Sequence, residues 1–170
     1  DSTYVPMEFK ITRSTIRTNP VPYYGIVGNN VGYIVISTFA IENCSKDIKK
    51  ALIELKQQGA KSIVLDLRGN GGGLLGEAVN VVNFFVPKGK EIVVTKGKIK
   101  QAGTTYKTMN EPVDTEIPLA VLVDGSTASA SEIVSGSLQD LDRAIVVGSR
   151  TYGKGLVQVP RELPYNSSMK

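Results

Sequence analysis

The chain contains no histidine, and that absence removes more chemistry than any of its motifs adds. Without an imidazole there is no Ser-His-Asp triad, no Cys-His nucleophile, no histidine acid–base couple and no histidine-containing zinc site. Cysteine is nearly as scarce. Cys44 stands alone, so no internal disulfide framework can form, and its place just before SKDIKKALIEL predicts a structural residue at the entry of a helix. No stretch approaches the roughly 18–20 consecutive apolar residues of a membrane-spanning helix. The start at Asp1 has neither the basic residues nor the apolar run of a signal peptide.

What remains is ordinary in bulk. A chain of 170 residues, 41% hydrophobic and 21% charged, predicts one packed core. Twenty Lys and Arg against sixteen Asp and Glu give a net charge of +4, and the basic residues are scattered. The densest group, Lys96 to Lys100, is mixed with Gly97 in a predicted hairpin and reads as a solvated edge, so no nucleic-acid partner is expected.

Along the chain, Met7–Arg13 alternates apolar and polar as a half-buried strand would, and Thr18–Tyr24 is a connector broken by proline. Gly32–Ser37 is a β-branched strand. Lys46–Gln58 places Ile48, Leu52 and Leu55 on one helical stripe, ended by Gly59. Ser62–Leu67 is a second buried strand, followed by the loop RGNGGG and a helix over Leu75–Phe85 that Pro87 closes. Glu91–Tyr106 alternates like a hairpin, Leu119–Val123 is a third buried strand, Ser129–Leu141 a third helix and Ala144–Val147 a fourth strand. Strand and helix alternating on short connections predicts an α/β fold with a mainly parallel sheet flanked by helices, plus added β-hairpin elements. In such sheets sites gather at the carboxyl ends of the strands, where both RGNGGG and DGSTASAS fall.

Three motifs lie there. Gly71, Gly73 and Gly76 match G-x-G-x-x-G, but the acid for a ribose is misplaced: Glu91 begins a strand where the end of one is needed. A loop whose amides approach an anion or a developing oxyanion is the simpler reading. GSRTYGK (148–154) matches part of a phosphate-binding loop, yet Gly155 stands where Ser or Thr should hold magnesium, and LVQV reads as strand where a helix should start. STASAS (126–131) sits between a strand and a helix, where a serine at the apex gains from first-turn amides. Its bland alternative is a helix cap, since Ser129 and Glu132 fit a capping box. Four serines, Ser126, Ser129, Ser131 and Ser135, remain candidates on this reading. Lys154 is flanked by glycines and has no acid among its chain neighbours, as a neutral base requires, and Gln158 is four residues on.

VLDLRGNGGGLL (64–75), LVDGSTASASEIVSGSLQDLDRA (122–144) and GSRTYGKGLVQ (148–158) together resemble the carboxy-terminal processing, or tail-specific, serine peptidase family. The resemblance runs from about Met7 to the end. It implies the crotonase-like or ClpP-like α/β superfold, Ser129 as nucleophile, Lys154 as general base, Gln158 orienting the lysine, and the amides of Ala130 and Gly72 as the oxyanion hole. It implies no metal and no cofactor. It also implies protein or peptide substrates that enter by their carboxy-terminal tails, a homodimer or adaptor in the full-length protein, and a place in the cell envelope or, in plants, the chloroplast lumen. Family members carry a PDZ domain before the core and continue past the equivalent of Lys170. Residues 1–22 are therefore expected to be the last strand of such a domain and a connector, and residues 23–170 a peptidase core truncated at its C-terminal end. Two rivals stand beside this reading: a catalytically silent module binding a peptide or apolar ligand on the same fold, and a nucleotide-binding domain.

Overall fold

The computed structural model describes residues 7–14, 16, 18–98 and 103–169. Its elements in chain order are β1 (Tyr23–Val27), β2 (Val31–Val35), α1 (Cys44–Gln57), β3 (Ser62–Asp66), α2 (Leu75–Asn83), β4 (Glu91–Thr95), β5 (Thr104–Lys107), β6 (Leu119–Val123), α3 (Ala130–Asp140), β7 (Ile145–Gly148), β8 (Arg161–Leu163) and β9 (Ser167–Met169). The main sheet has the order β1-β2-β3-β6-β7. Only β1 runs antiparallel to its neighbour; β2, β3, β6 and β7 are parallel, with Tyr33 opposite Val64, Val64 opposite Ala120, and Val121 opposite Val146. The α/β class with a mainly parallel sheet is thus present, and separate hairpins β4–β5 and β8–β9 lie outside the sheet.

Burial follows the periodicities of the sequence. Ile48, Leu52 and Leu55 on α1 are at most 1% exposed and meet the sheet residues Ile34, Ile63 and Leu65 in one apolar cluster. Ala78, Val81 and Val82 of α2 and Ala130, Val134 and Leu138 of α3 close the same core. Leaving water is what drives these faces together, at about 25 cal/mol per Å² of apolar surface.

Three local expectations need correction. Tyr23–Val27, half read as connector, is a strand: Gly28, Asn29 and Asn30 turn it back on β2, with Gly28 and Asn30 at φ 50° and 60°, values that glycine and asparagine tolerate. Met7–Arg13 is not a strand, and Met7, Phe9 and Ile11 are 78%, 76% and 84% exposed. Alternation supplies a pattern, but a strand also needs a partner for its amides, and none of the described residues provides one. Leu156–Val159 fails for the same reason: it forms no strand, and Leu156, Val157 and Val159 are exposed. The hairpin expected over 91–106 is present as β4 and β5 in antiparallel register; Lys96 and Lys98 are exposed in its connection, and residues 99–102 lie outside the described residues.

Candidate active site

The carboxyl ends of β3 and β6 open into two loops, and buried polar groups stitch these together. The Asp124 carboxylate, just past β6, accepts from the amides of Gly69 (3.0 Å), Ser126 (2.9 Å) and Thr127 (3.0 Å). These contacts, the Gly69 amide foremost, hold its carboxyl below the usual range although burial acts the other way. Thr127 is fully buried; its hydroxyl donates to the Leu67 carbonyl (2.8 Å) and accepts from the Asp124 amide (2.9 Å). The Ala128 amide then donates to the Asn70 carbonyl (3.1 Å). The serine turn is held to the glycine loop before its helix begins.

Ser129 occupies the last position of that turn, immediately before α3, at φ 56° and ψ −117°. A side chain rarely adopts this backbone, and holding it costs on the order of 1–3 kcal/mol. Gly72 approaches it from the other loop. A Cβ on Gly72 would come within 2.6 Å of the Ala128 carbonyl oxygen and 2.8 Å of both the Ala130 nitrogen and the Ser129 Cβ, so only glycine fits. Gly73 is as tightly placed, against the backbone of Phe39, with which it forms a parallel bridge. The Gly72 amide itself donates to Asn70 Oδ1 (2.9 Å), which in turn is anchored through its Nδ2 to the Ile36 carbonyl (2.8 Å). The Gly72 amide, expected as an oxyanion donor, is engaged by Asn70 in this structure, and Gly72 lies in close approach to the serine turn. The Ala130 amide has no acceptor among the described residues.

The lysine arrives from the loop after β7. Ser129 and the half-buried Lys154 line one cavity of about 410 Å³, whose apolar walls come from Ile92, Val93 and Ile133. The Lys154 ammonium donates to Gln158 Oε1 at 3.1 Å. Of the other candidate serines, Ser126 is exposed and away from the cavity, while Ser131 and Ser135 are buried, the Ser135 hydroxyl donating to the Ser131 carbonyl (3.1 Å).

In the sequence Glu132 stands out only as a helix cap, and the structure gives it a larger part. Its carboxylate accepts four hydrogen bonds: from the amide of Ser129 (2.8 Å), the amide of Lys154 (2.9 Å), the amide of Gly153 (2.6 Å) and the hydroxyl of Thr151 (2.8 Å). One side chain therefore joins the serine turn to the lysine loop. Burial pushes its carboxyl up, but the Thr151 hydroxyl and the three amides outweigh that and hold it below the usual value. The capping-box spacing pointed to Glu132; the 19 to 22 residues separating it from its other partners concealed the rest.

A model of Peptidase family S41 matches residues 30–170. The chain is 43% identical over 165 residues to a carboxyl-terminal-processing protease of Synechocystis sp., covering 95% of this chain and 38% of that protein. To a carboxyl-terminal-processing protease of Picosynechococcus sp. it is 42% identical over 164 residues, covering 94% and 38%. Among solved structures it is similar to a photosystem II D1 C-terminal processing protease, with a TM-score of 0.75, 33% identity, and coverage of 92% of this chain and 43% of that one. The chain thus spans about two-fifths of the length of these relatives.

Proposed function

The chain belongs to peptidase family S41, and from that premise we propose that it is the core of a serine endopeptidase cleaving proteins or peptides near their carboxy termini through a Ser129–Lys154 dyad. The observation that carries this reading is a serine held in a strained turn on the same cavity as a lysine. Such strain persists only where surrounding structure imposes it, and it is typical of a nucleophile lifted above a strand end.

In the proposed reaction Lys154 Nζ takes the proton of the Ser129 hydroxyl as Oγ bonds to the substrate carbonyl carbon. The oxyanion so formed is received by the Ala130 amide, at the positive end of α3. As the C–N bond breaks, the proton passes from Lys154 to the leaving amine. Water, deprotonated by the same lysine, then hydrolyses the Ser129 ester. Gln158 holds the ammonium in place between these steps. Relatives named for carboxyl-terminal processing support substrates presented by their C-terminal ends, and the family resemblance supports a site of action in the cell envelope.

Replacing Ser129 or Lys154 by alanine in the protein is expected to lower turnover of a peptide substrate by roughly four orders of magnitude or more. Undiminished cleavage by either variant would sink the proposal. Failure of a fluorophosphonate to label Ser129 would favour the silent binding module, a reading encouraged by the engagement of the Gly72 amide with Asn70.

A further inference from the structure

Three loops have to meet for the proposed dyad to work, and they come from distant parts of the chain: the glycine loop after β3, the serine turn after β6 and the lysine loop after β7. Two residues cross between them on either side of Ser129. Glu132, three positions after the serine, reaches the lysine loop. Thr127, two positions before it, reaches both of the other loops: the Tyr152 amide donates to its carbonyl (3.0 Å), and its own hydroxyl donates to the Leu67 carbonyl just past β3 (2.8 Å).

Burial makes that hydroxyl matter. Thr127 is 0% exposed, so bulk water cannot stand in for a lost partner. The single hydroxyl proton has two acceptors in reach, the Leu67 carbonyl at 2.8 Å and Asp124 Oδ1 at 3.3 Å, and the shorter bond is the one that crosses between loops. The hydroxyl oxygen accepts from the Asp124 amide (2.9 Å), which ties the turn back to the end of β6. Thr127 precedes the cap of α3 by two residues, so helix capping does not account for a hydroxyl there. Serine could make the same bonds; threonine adds a second heavy atom on Cβ, which narrows χ1 and fixes the direction of the hydroxyl.

We propose that Thr127 is a positioning residue for the reaction: its buried hydroxyl and its carbonyl together hold the serine turn, the lysine loop and the glycine loop in one register. This rests on the Ser129–Lys154 dyad proposed above. Being fully buried, Thr127 acts through its neighbours and not on the substrate. A slip of its peptide moves Ser129 on one side and, through Tyr152, the backbone two residues before Lys154 on the other. A misplacement of about 1 Å between reacting groups can cost about 100-fold in rate.

Two near-isosteres separate the hydroxyl from the packing. Thr127→Val keeps the volume and the branching but leaves the Asp124 amide without the acceptor it has here; Thr127→Ser keeps the hydroxyl and loses the methyl. With a peptide substrate, assayed well below each variant's melting temperature, Thr127→Val is expected to lower kcat by about 10-fold or more with KM changed by less than about 2-fold, and Thr127→Ser to recover most of that loss. A residue that served stability alone would lower the melting temperature and leave kcat per folded molecule unchanged. Amide hydrogen exchange tests the brace without any chemistry: the Tyr152 amide should exchange about 10-fold or more faster in Thr127→Val than in the parent, and near the parent rate in Thr127→Ser. An unchanged kcat in Thr127→Val, a Thr127→Ser variant as slow as Thr127→Val, or a Tyr152 amide that keeps the parent rate in Thr127→Val would each overturn the assignment. Ser129→Ala reports on the underlying reading: if it cleaves as fast as the parent, or the parent cleaves nothing, the dyad is wrong, and faster Tyr152 exchange in Thr127→Val still shows Thr127 bracing the lysine loop.

Discussion

A serine at φ 56° and ψ −117° is held where its own backbone preferences would not put it. Asn30 and Asn43 also have positive φ, but asparagine tolerates that region and both sit in turns that suit it. Ser129 is different because Asp124, Thr127 and Glu132 fasten the chain on either side of it. Strain of this kind predicts a trade between stability and turnover. Ser129→Gly should raise the melting temperature by about 2–4 °C, as relief of ~1 kcal/mol would; Ser129→Ala keeps a Cβ and should not. Both should lose turnover, and calorimetry beside a peptide assay separates the two effects. At this scale the string STASAS offers several hydroxyls of equal chemical merit. Its spacing does not distinguish them, because which one lines the cavity depends on a dihedral angle imposed through contacts with residues far back in the chain, such as Leu67 and Gly69.

At the scale of elements, α3 works with two faces. Ala130, Val134 and Leu138 enter the core, while Ser129, Glu132, Ile133 and Gly136 line the cavity. Between this helix and the loop after β7 the joint is Glu132, a positioning residue, since its carboxylate meets backbone amides and a hydroxyl and not the ammonium of Lys154 in any hydrogen bond. Glu132→Gln keeps the size but gives up the charge and turns one acceptor into a donor facing donors. The expected result is a fall in kcat of about 10-fold or more with a much smaller change in KM, and Thr151→Val should do less because three contacts remain. A fall in KM-governed binding alone, with kcat preserved, would place Glu132 in substrate binding instead. Periodicity announced α1, α2 and α3 almost to their ends, since a buried stripe is a property of one segment. It misjudged Met7–Arg13 and Leu156–Val159, since a strand is a property of two.

Across the whole molecule, the parallel order β2-β3-β6-β7 brings the glycine loop, the serine turn and the lysine loop to one edge of the sheet. Elsewhere the fold is tied by charge: Lys56 at the end of α1 pairs with Asp114 (2.5 Å), whose carboxylate also accepts from the amides of Glu116 and Ile117 ahead of β6. Burial pushes the Asp114 carboxyl up, but Lys56 and the two amides pull it down to about 2. A carboxyl lowered on folding adds stability that is fully present above its unfolded value and is lost as pH falls through the folded one. The denaturation midpoint should therefore drop as pH is lowered from about 4 to 2, and Asp114→Asn should make that drop shallower; an unchanged slope would show that the pair does not couple to folding. By itself the sequence determined the exclusion of histidine chemistry, the α/β alternation, the helical stripes and the three family motifs, because composition, periodicity and short spacings are local and survive in a string. Only the tertiary structure decided that Ser129 is the strained residue, that Gly72 is an engaged amide, that Glu132 joins two distant loops and that Gly136 faces a cavity. Each of these depends on contacts between segments far apart in the chain, and such contacts exist only once the sheet has brought its strand ends together.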